Sequence, residues 1–127
     1  MLRILLAEDN EMNSDMLIRR LQRQGWEVVL ATTGTEAVRL AGEIKPDVVV
    51  MDMSLPEMDG WTATRILRDH PLTSALPVIA LTAHAMSGDR ERALAAGCNV
   101  FATKPVDFAG LTSQILNLTS RKAELWQ

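Results

Sequence analysis

Short apolar runs recur along the chain, separated by longer stretches in which apolar residues follow a helical period. The runs are rich in Val, Ile and Leu, and most lack the polar alternation expected of a strand with one solvent-facing side. This pattern is typical of a parallel sheet that helices cover on both faces. It predicts five strands: Leu2 to Ala7, Glu27 to Ala31, Asp47 to Met51, Pro77 to Leu81 and Val100 to Thr103.

The stretches between the runs carry helical stripes and helix-end signals. The clearest stripes are Ala37, Leu40, Ala41 and Ile44, then Phe108, Leu111, Ile115 and Leu118. Residues suited to N-caps, or to the glycine that ends a helix, flank these stretches: Thr33 with Glu36, Asp59, Asp107, Gly25 and Gly97. Because one helix follows each strand and the connections are short, we expect right-handed crossovers onto one parallel sheet. The predicted fold is a doubly wound α/β domain.

Length and charge fit one small domain. The chain has 127 residues, of which 47% are apolar and 23% charged, as is ordinary for a globular protein. We expect a single domain over residues 1–120, a polar tail at residues 121–127, and no output domain. The net charge of -3 gives no electrostatic reason to bind nucleic acid or an anionic membrane.

The single cysteine and the first residues bear on location. Cys98 cannot form an internal disulfide, and no metal-ligand spacing of Cys or His surrounds it. The apolar stretch from Leu2 to Ala7 is closed at once by Glu8 and Asp9, which argues against a signal peptide or a membrane span. We therefore expect a protein of the reducing cytosol with no membrane partner.

Chemically active side chains follow the strands at one edge of the predicted sheet. Open α/β sheets bind their ligands outside the carboxyl ends of the strands. The first, third, fourth and fifth strands are followed or ended by Glu8 and Asp9, Asp52, Thr82 and Lys104. The second strand ends without a charged residue, as expected of an outer strand away from the site.

If the first and third strands are neighbours, Glu8, Asp9 and Asp52 meet within a few ångströms. Two carboxylates about 5 Å apart repel by about 3 kcal/mol at an effective dielectric of about 20. Such a cluster requires a cation, and carboxylate oxygens without His or Cys nearby favour Mg²⁺. Lys104 supplies a positive charge, Thr82 a hydroxyl donor, and Asp52 a carboxylate nucleophile. Together these residues indicate a phosphoryl-transfer site.

Each of these residues also has an ordinary structural explanation. Residues 8–10 can simply cap the first helix, and Asp52 can belong to a turn. Thr82 can cap the helix that follows it, and Lys104 can be a solvated surface charge. The joint occurrence of acid, acid, hydroxyl and lysine at four strand ends favours the site over these explanations.

Four segments of the chain resemble the receiver domain of two-component response regulators. They are Leu5-Leu6-Ala7-Glu8-Asp9-Asn10, Met51-Asp52-Met53-Ser54-Leu55-Pro56-Glu57-Met58-Asp59-Gly60, Leu81-Thr82-Ala83 and Thr103-Lys104-Pro105. The likeness extends over residues 2 to about 118, and it implies a flavodoxin-like (βα)5 fold with the strand order 2-1-3-4-5. The run at residues 84–92 resembles receivers of hybrid histidine kinases and certain single-domain regulators of cell development.

The resemblance also implies how the acidic residues act. Glu8, Asp9 and Asp52 bind Mg²⁺ together with the backbone carbonyl of Ser54, and Asp52 is the residue that becomes phosphorylated.

Further roles follow from the resemblance for residues around the acids. Thr82 and Lys104 hold the phosphoryl oxygens. Thr82 also forms a conformational switch with Phe101, which stands where many relatives have Tyr and therefore lacks a hydroxyl. Ser54 and His84 occupy the two positions at which the family tunes how fast the phosphoryl group is lost.

The function implied is that of a phosphoacceptor. The chain takes a phosphoryl group from the phosphohistidine of a sensor histidine kinase or histidine phosphotransfer protein, and then changes its contacts with a downstream protein. It catalyses only its own phosphorylation and dephosphorylation, so we do not expect an enzyme with a separate substrate.

Two other classes of protein share parts of this pattern. A haloacid-dehalogenase-like phosphatase also uses a nucleophilic Asp and Mg²⁺ on a parallel sheet, but it requires a second acid where this chain has Ser54. A flavodoxin-like electron carrier requires a phosphate-binding loop rich in hydroxyls and glycines after the first strand, and this chain has acids there.

Overall fold

The computed structural model of the chain describes residues 1–83 and 88–125, with side chains up to residue 120. Within these residues, strands and helices alternate. The strands are β1 (Arg3–Ala7), β2 (Glu27–Ala31), β3 (Val48–Asp52), β4 (Val78–Thr82) and β5 (Val100–Thr103). The helices are α1 (Glu11–Arg23), α2 (Gly34–Ile44), α3 (Gly60–Asp69), α4 (Asp89–Ala96) and α5 (Phe108–Leu125). The predicted βα repeat is confirmed; β2 and β5 have the predicted limits, and the other strands differ by one residue at one or both ends.

The strands form one parallel sheet in the order β2-β1-β3-β4-β5, which confirms the implied topology. β2 is an outer strand, as its uncharged end predicted. The register pairs Ala7 with Met51, Asp52 with Leu81, and Thr82 with Thr103. The carboxyl ends of β1, β3, β4 and β5 therefore lie along one edge of the sheet.

Both faces of the sheet are covered, and each face has its own hydrophobic core. Alternate residues of the central strands point to opposite faces, since side chains alternate along a strand. One core joins Leu5, Val49 and Met51 to α2, α3 and α4 through Ala37, Ala41, Ala63, Leu67 and Ala93. The other core joins Ile4, Leu6 and Val50 to α1 and α5 through Leu17, Leu21, Leu111 and Ile115. Burial on both faces explains why the strand sequences lack polar alternation.

The helix ends follow the predicted signals. The Thr33 hydroxyl accepts from the Glu36 N–H at 3.0 Å, and the Asp59 carboxylate accepts from the Thr62 N–H at 2.7 Å. The Asp107 carboxylate likewise accepts from the Gly110 N–H at 3.3 Å.

Gly25 and Gly97 adopt φ angles of 87° and 108° just after α1 and α4, where a side chain would be strained. At the other end of the fold, α5 continues to Leu125, and the predicted division between domain and tail at residue 120 stays a prediction.

Candidate functional site

Three acids meet where β1 and β3 end side by side. Oxygens of Glu8, Asp9 and Asp52 lie within 4.8 Å of one another. The Glu8 and Asp52 side chains are buried, whereas Asp9 is exposed at the rim. Asn10, next in the chain, caps α1 by accepting from the Asn13 N–H at 3.0 Å. The helix-cap explanation therefore holds for Asn10, while the acids before it form the predicted cluster.

Lys104 places a positive charge against two of these acids. It follows β5, and its Nζ lies 2.9 Å from Glu8 Oε1 and 2.8 Å from Asp52 Oδ2. Burial acts to lower the pKa of Lys104, yet the hydrogen bonds to Asp52 and Glu8 raise it above its ordinary value. The ammonium is therefore charged at neutral pH, and the solvated-charge explanation for Lys104 is wrong.

Asp52 is held at both carboxylate oxygens. Oδ2 faces Lys104, and Oδ1 accepts from the Ser54 N–H at 3.0 Å and from the Ser54 hydroxyl at 2.9 Å. Burial acts to raise the pKa of Asp52, but the hydrogen bonds from Lys104 and Ser54 outweigh it and keep this pKa below its ordinary value. Asp52 is thus an ionised carboxylate in a fixed orientation, as a nucleophile requires.

The pKa of Glu8 shifts in the opposite direction to that of Asp52. Burial raises the pKa of Glu8 above its ordinary value, and the hydrogen bond from Lys104 only partly offsets this effect. The carboxylate of Asp52 raises it further. The neighbouring acids are therefore unequal, and Asp52 is the one that hydrogen bonding keeps charged despite its burial.

The segment after β3 depends on a glycine that sequence reasoning did not single out. Gly60 N–H donates to the Met53 carbonyl at 3.0 Å and closes the loop at residues 53–59. A Cβ at this position would lie 2.7 Å from the Asp52 carbonyl oxygen and 2.8 Å from Met53 Cα. Any larger residue at Gly60 would therefore push directly on the backbone that carries Asp52. The available signal was a glycine at the first position of a helix, where helix propensity disfavours it.

The predicted switch residues lie at different distances along the strands from the acidic cluster. Thr82 is buried as the last residue of β4, and its carbonyl accepts from the Lys104 N–H at 2.7 Å. Phe101 is half-buried in β5 and packs on the core beneath α2, α3 and α4. The structure thus brings Thr82 to the site and Phe101 to the strand beside it, while their switching roles stay predictions. His84 lies outside the described residues, so its predicted tuning role cannot be placed.

The donor set fits the metal that the resemblance implies. Glu8, Asp9 and Asp52 offer oxygen ligands only, and Ser54, with its carbonyl oxygen, follows Asp52 in the loop after β3. Mg²⁺ prefers such hard oxygen donors, typically one or two carboxylates with water and phosphate oxygens. The arrangement can therefore hold a divalent cation beside an ionised nucleophile.

A sequence model described as the response regulator receiver domain matches residues 4–116. This chain belongs to that family. Among curated relatives, the polar-differentiation response regulator DivK of Brucella anthropi is 39% identical over 103 residues, covering 81% of this chain and 84% of DivK. The fold, the family and the receiver role in a two-component system are thus as predicted.

Solved structures agree with this family assignment. The receiver domain of a sensor histidine kinase of Pseudomonas aeruginosa PAO1, which has a magnesium ion in its active-site cleft, matches with a TM-score of 0.88 and 39% identity, covering 94% of this chain and 98% of that one. The Ssk1 receiver domain of Saccharomyces cerevisiae, crystallised with the histidine phosphotransfer protein Ypd1, matches with a TM-score of 0.89 and 30% identity, covering 96% and 91%. No support for the phosphatase alternative comes from these matches.

Among the described helices, none is both long and apolar enough to cross a bilayer. A cytosolic location stays a prediction.

Proposed function

We propose that Asp52 accepts a phosphoryl group from the phosphohistidine of a sensor histidine kinase or a histidine phosphotransfer protein. The observation that carries this proposal is the fixed, ionised Asp52 carboxylate, with Lys104 Nζ at 2.8 Å and two further acids beside it. A histidine phosphotransfer protein is bound to the related yeast receiver, which supports such a donor for this chain.

In the proposed reaction, an Asp52 oxygen attacks phosphorus in line with the leaving imidazole. The P–N bond breaks, and its electron pair passes to the imidazole nitrogen of the donor. Lys104, next to the attacking carboxylate, stabilises charge on the phosphoryl oxygens, and the buried Thr82 at the end of β4 supplies a hydroxyl to them.

Glu8, Asp9, Asp52 and the Ser54 carbonyl would hold Mg²⁺, which would supply positive charge to neutralise the phosphoryl oxygens. The product is an acyl phosphate on Asp52. Water hydrolyses it, which restores the carboxylate and releases inorganic phosphate. Ser54, already bonded to Asp52, and His84 are the residues expected to set that rate. The chain therefore acts on its own side chain rather than on a separate substrate.

Asp52→Asn tests the proposal, because the amide keeps the shape of the side chain but removes the nucleophile. We expect labelling by radioactive acetyl phosphate in Mg²⁺ buffer to disappear in Asp52→Asn. Asp69→Asn, a change at the exposed end of α3, serves as the matched control and should label normally. Full labelling of Asp52→Asn would show that the phosphoryl group goes elsewhere.

We further propose that phosphorylation changes the surface formed by α4, β5 and α5, and with it the affinity for a downstream protein. Thr82 and Phe101 lie in β4 and β5, the strands that border this surface. Movement of Thr82 toward the phosphoryl group makes room for Phe101 to turn inward, which shifts an existing equilibrium. Couplings of this kind are typically about 1–3 kcal/mol.

NMR with the phosphate mimic beryllofluoride tests the second step. We expect amide shifts in residues 82–97 and 101–111 as well as around Asp52. Shifts confined to the loops that touch Asp52 would mean that the chain only stores or relays the phosphoryl group.

A further inference from the structure

The loop between β3 and α3 makes an unusually sharp turn at Glu57. Met58 N–H donates to the Pro56 carbonyl at 2.7 Å, and Glu57 between them has a φ of 67°. A three-residue turn with a positive central φ is the rare and strained form of the γ-turn. A side-chain-bearing residue stays in such a conformation only when its surroundings hold it there.

The first residue of α2 supplies part of that support. Gly34 N–H donates to the same Pro56 carbonyl at 3.3 Å. A Cβ at Gly34 would overlap the Met58 carbonyl oxygen and would lie 2.6 Å from the Met58 carbonyl carbon. Both atoms belong to the backbone, so no side-chain rotation relieves the overlap. The loop can therefore follow its present path only if residue 34 is glycine.

This path also determines where the site residues stand. The same loop carries Ser54, whose N–H and hydroxyl bind Asp52 Oδ1 and whose carbonyl is the expected metal ligand. Its far end is fixed by Gly60, which donates to Met53 at 3.0 Å. Gly34 is thus the second support of the loop, and it comes from a helix that supplies no ligand itself.

We propose that Gly34 is a positioning residue for the Mg²⁺ site. By letting α2 approach the turn at residues 56–58, it sets the path of the loop and hence the position of the Ser54 carbonyl beside Asp52. This inference rests on the proposed function, because it takes Mg²⁺ as the ion that the acids bind.

Alanine at Gly34 tests the inference, and alanine at Gly42 is the matched control. Gly42 lies in the same helix, and a Cβ there meets no atom of the described residues within 4 Å. Mg²⁺ affinity is measured by following backbone amide shifts of Asp9, Asp52 and Ser54 during titration, with Asp9→Ala as the reference for a disrupted site. We expect Gly34→Ala to bind Mg²⁺ about 10- to 100-fold more weakly, as is typical when a supporting contact of a metal site is lost. Gly42→Ala should bind like the unmodified chain.

Two further measurements separate positioning from a general loss of structure. At saturating Mg²⁺, labelling of Gly34→Ala by acetyl phosphate should return toward the unmodified rate, since the ion is then bound despite the displaced loop. If Gly34→Ala does not fold, the same Mg²⁺ titration is carried out on Thr33→Ala. This variant removes the hydroxyl that accepts from the Glu36 N–H and caps α2. It therefore loosens the start of the helix without placing a new side-chain atom against Met58. A weaker Mg²⁺ affinity with amide changes centred on residues 53–60 supports the proposal.

Unchanged Mg²⁺ affinity in Gly34→Ala overturns the inference. If Gly34→Ala does not fold, unchanged Mg²⁺ affinity in Thr33→Ala overturns it instead. So does an equal loss in Gly34→Ala and Gly42→Ala. The proposed function fails by a different result, namely the absence of Mg²⁺-dependent labelling in the unmodified chain.

Discussion

Two half-buried cations lie at opposite ends of the sheet and have different partners. At the carboxyl ends of the strands, the Lys104 ammonium faces two buried carboxylates. At the amino ends of β4 and β5, the guanidinium of Arg68 faces neutral oxygens, most of them backbone carbonyls. One end therefore contains an ion-pair cluster, and the other contains hydrogen bonds from a cation to neutral oxygens.

The Arg68 end joins three parts of the chain. Arg68 lies in the last turn of α3. Its Nε donates to the Gly97 carbonyl at 2.9 Å, and one terminal nitrogen donates to the Leu76 carbonyl at 2.7 Å. The other terminal nitrogen donates to the Asn99 side-chain oxygen at 2.9 Å, which also accepts from the Val78 N–H at 2.8 Å. A planar guanidinium can satisfy such separated acceptors at once, which a single ammonium cannot do.

The difference indicates where the molecule can switch. The carboxylates around Lys104 can bind a metal ion or face a phosphoryl group, because those ligands replace one charge interaction by another. The oxygens that Arg68 contacts are uncharged, so they offer no such exchange of charges. We therefore expect chemistry at the Lys104 end and stability at the Arg68 end.

Lys104→Ala is expected to give the largest effect. Removing a cation next to the transferred group should slow labelling by acetyl phosphate by about 10²–10³-fold. Arg65→Ala, which removes an exposed cation from α3, is the control and should label normally. Normal labelling of Lys104→Ala would abolish the proposed contrast between the two ends.

Arg68→Ala should act on stability instead. The lost charged hydrogen bonds and the buried carbonyls left behind should lower the free energy of unfolding by about 2–4 kcal/mol, measured by urea unfolding. Labelling per folded molecule should stay unchanged, and Arg68→Lys should recover little of the stability. A variant that unfolds like the original chain but labels slowly would reverse the assignment of the two ends.

The smallest effect is expected at a contact between α3 and α4. The Arg92 guanidinium carbon lies 3.8 Å from the centre of the Trp61 ring, and Arg92 itself is exposed. A double-mutant cycle with Arg92→Ala and Trp61→Leu should give a coupling of about 0.5–1 kcal/mol in urea unfolding. Arg90→Ala, on an exposed position of the same helix, should show no coupling to Trp61. A coupling as large as the effect of Arg68→Ala would mean that stability is not concentrated at the amino ends of the strands.

The sheet and the acidic cluster could be predicted because both follow from local patterns. Apolar runs mark buried strands, and the convergence of strand ends brings Glu8, Asp52 and Lys104 together once the strand order is known. The resemblance supplied that order. The unequal burial of Glu8 and Asp9 was not predicted; in the structure Glu8 accepts from the Asn10 N–H inside the turn after β1, while Asp9 faces the rim.

The supports of the loop and the Arg68 end could not be predicted in this way. The acceptors of Arg68 are mostly backbone carbonyls, which carry no residue signal, and Gly97 is 29 positions away in the sequence. Gly34 and Gly60 show their importance only through atoms of another segment, Met58 and Met53. The sequence shows a glycine at the start of a helix, but it does not show the backbone atoms that a side chain at that position would overlap.

The central position of β1 has a consequence for synthesis on the ribosome. Ile4 pairs with Val28 on one side and with Val48 on the other, and its side chain is completely buried. At a translation rate of about 5–20 residues per second, the partner strand β3 emerges roughly 2–9 seconds after β1. During that interval one edge of a strand with four consecutive apolar residues, Ile4 to Ala7, is open to other chains. Within this sheet, β1 is thus a strand that needs protection from aggregation until β3 has paired with it.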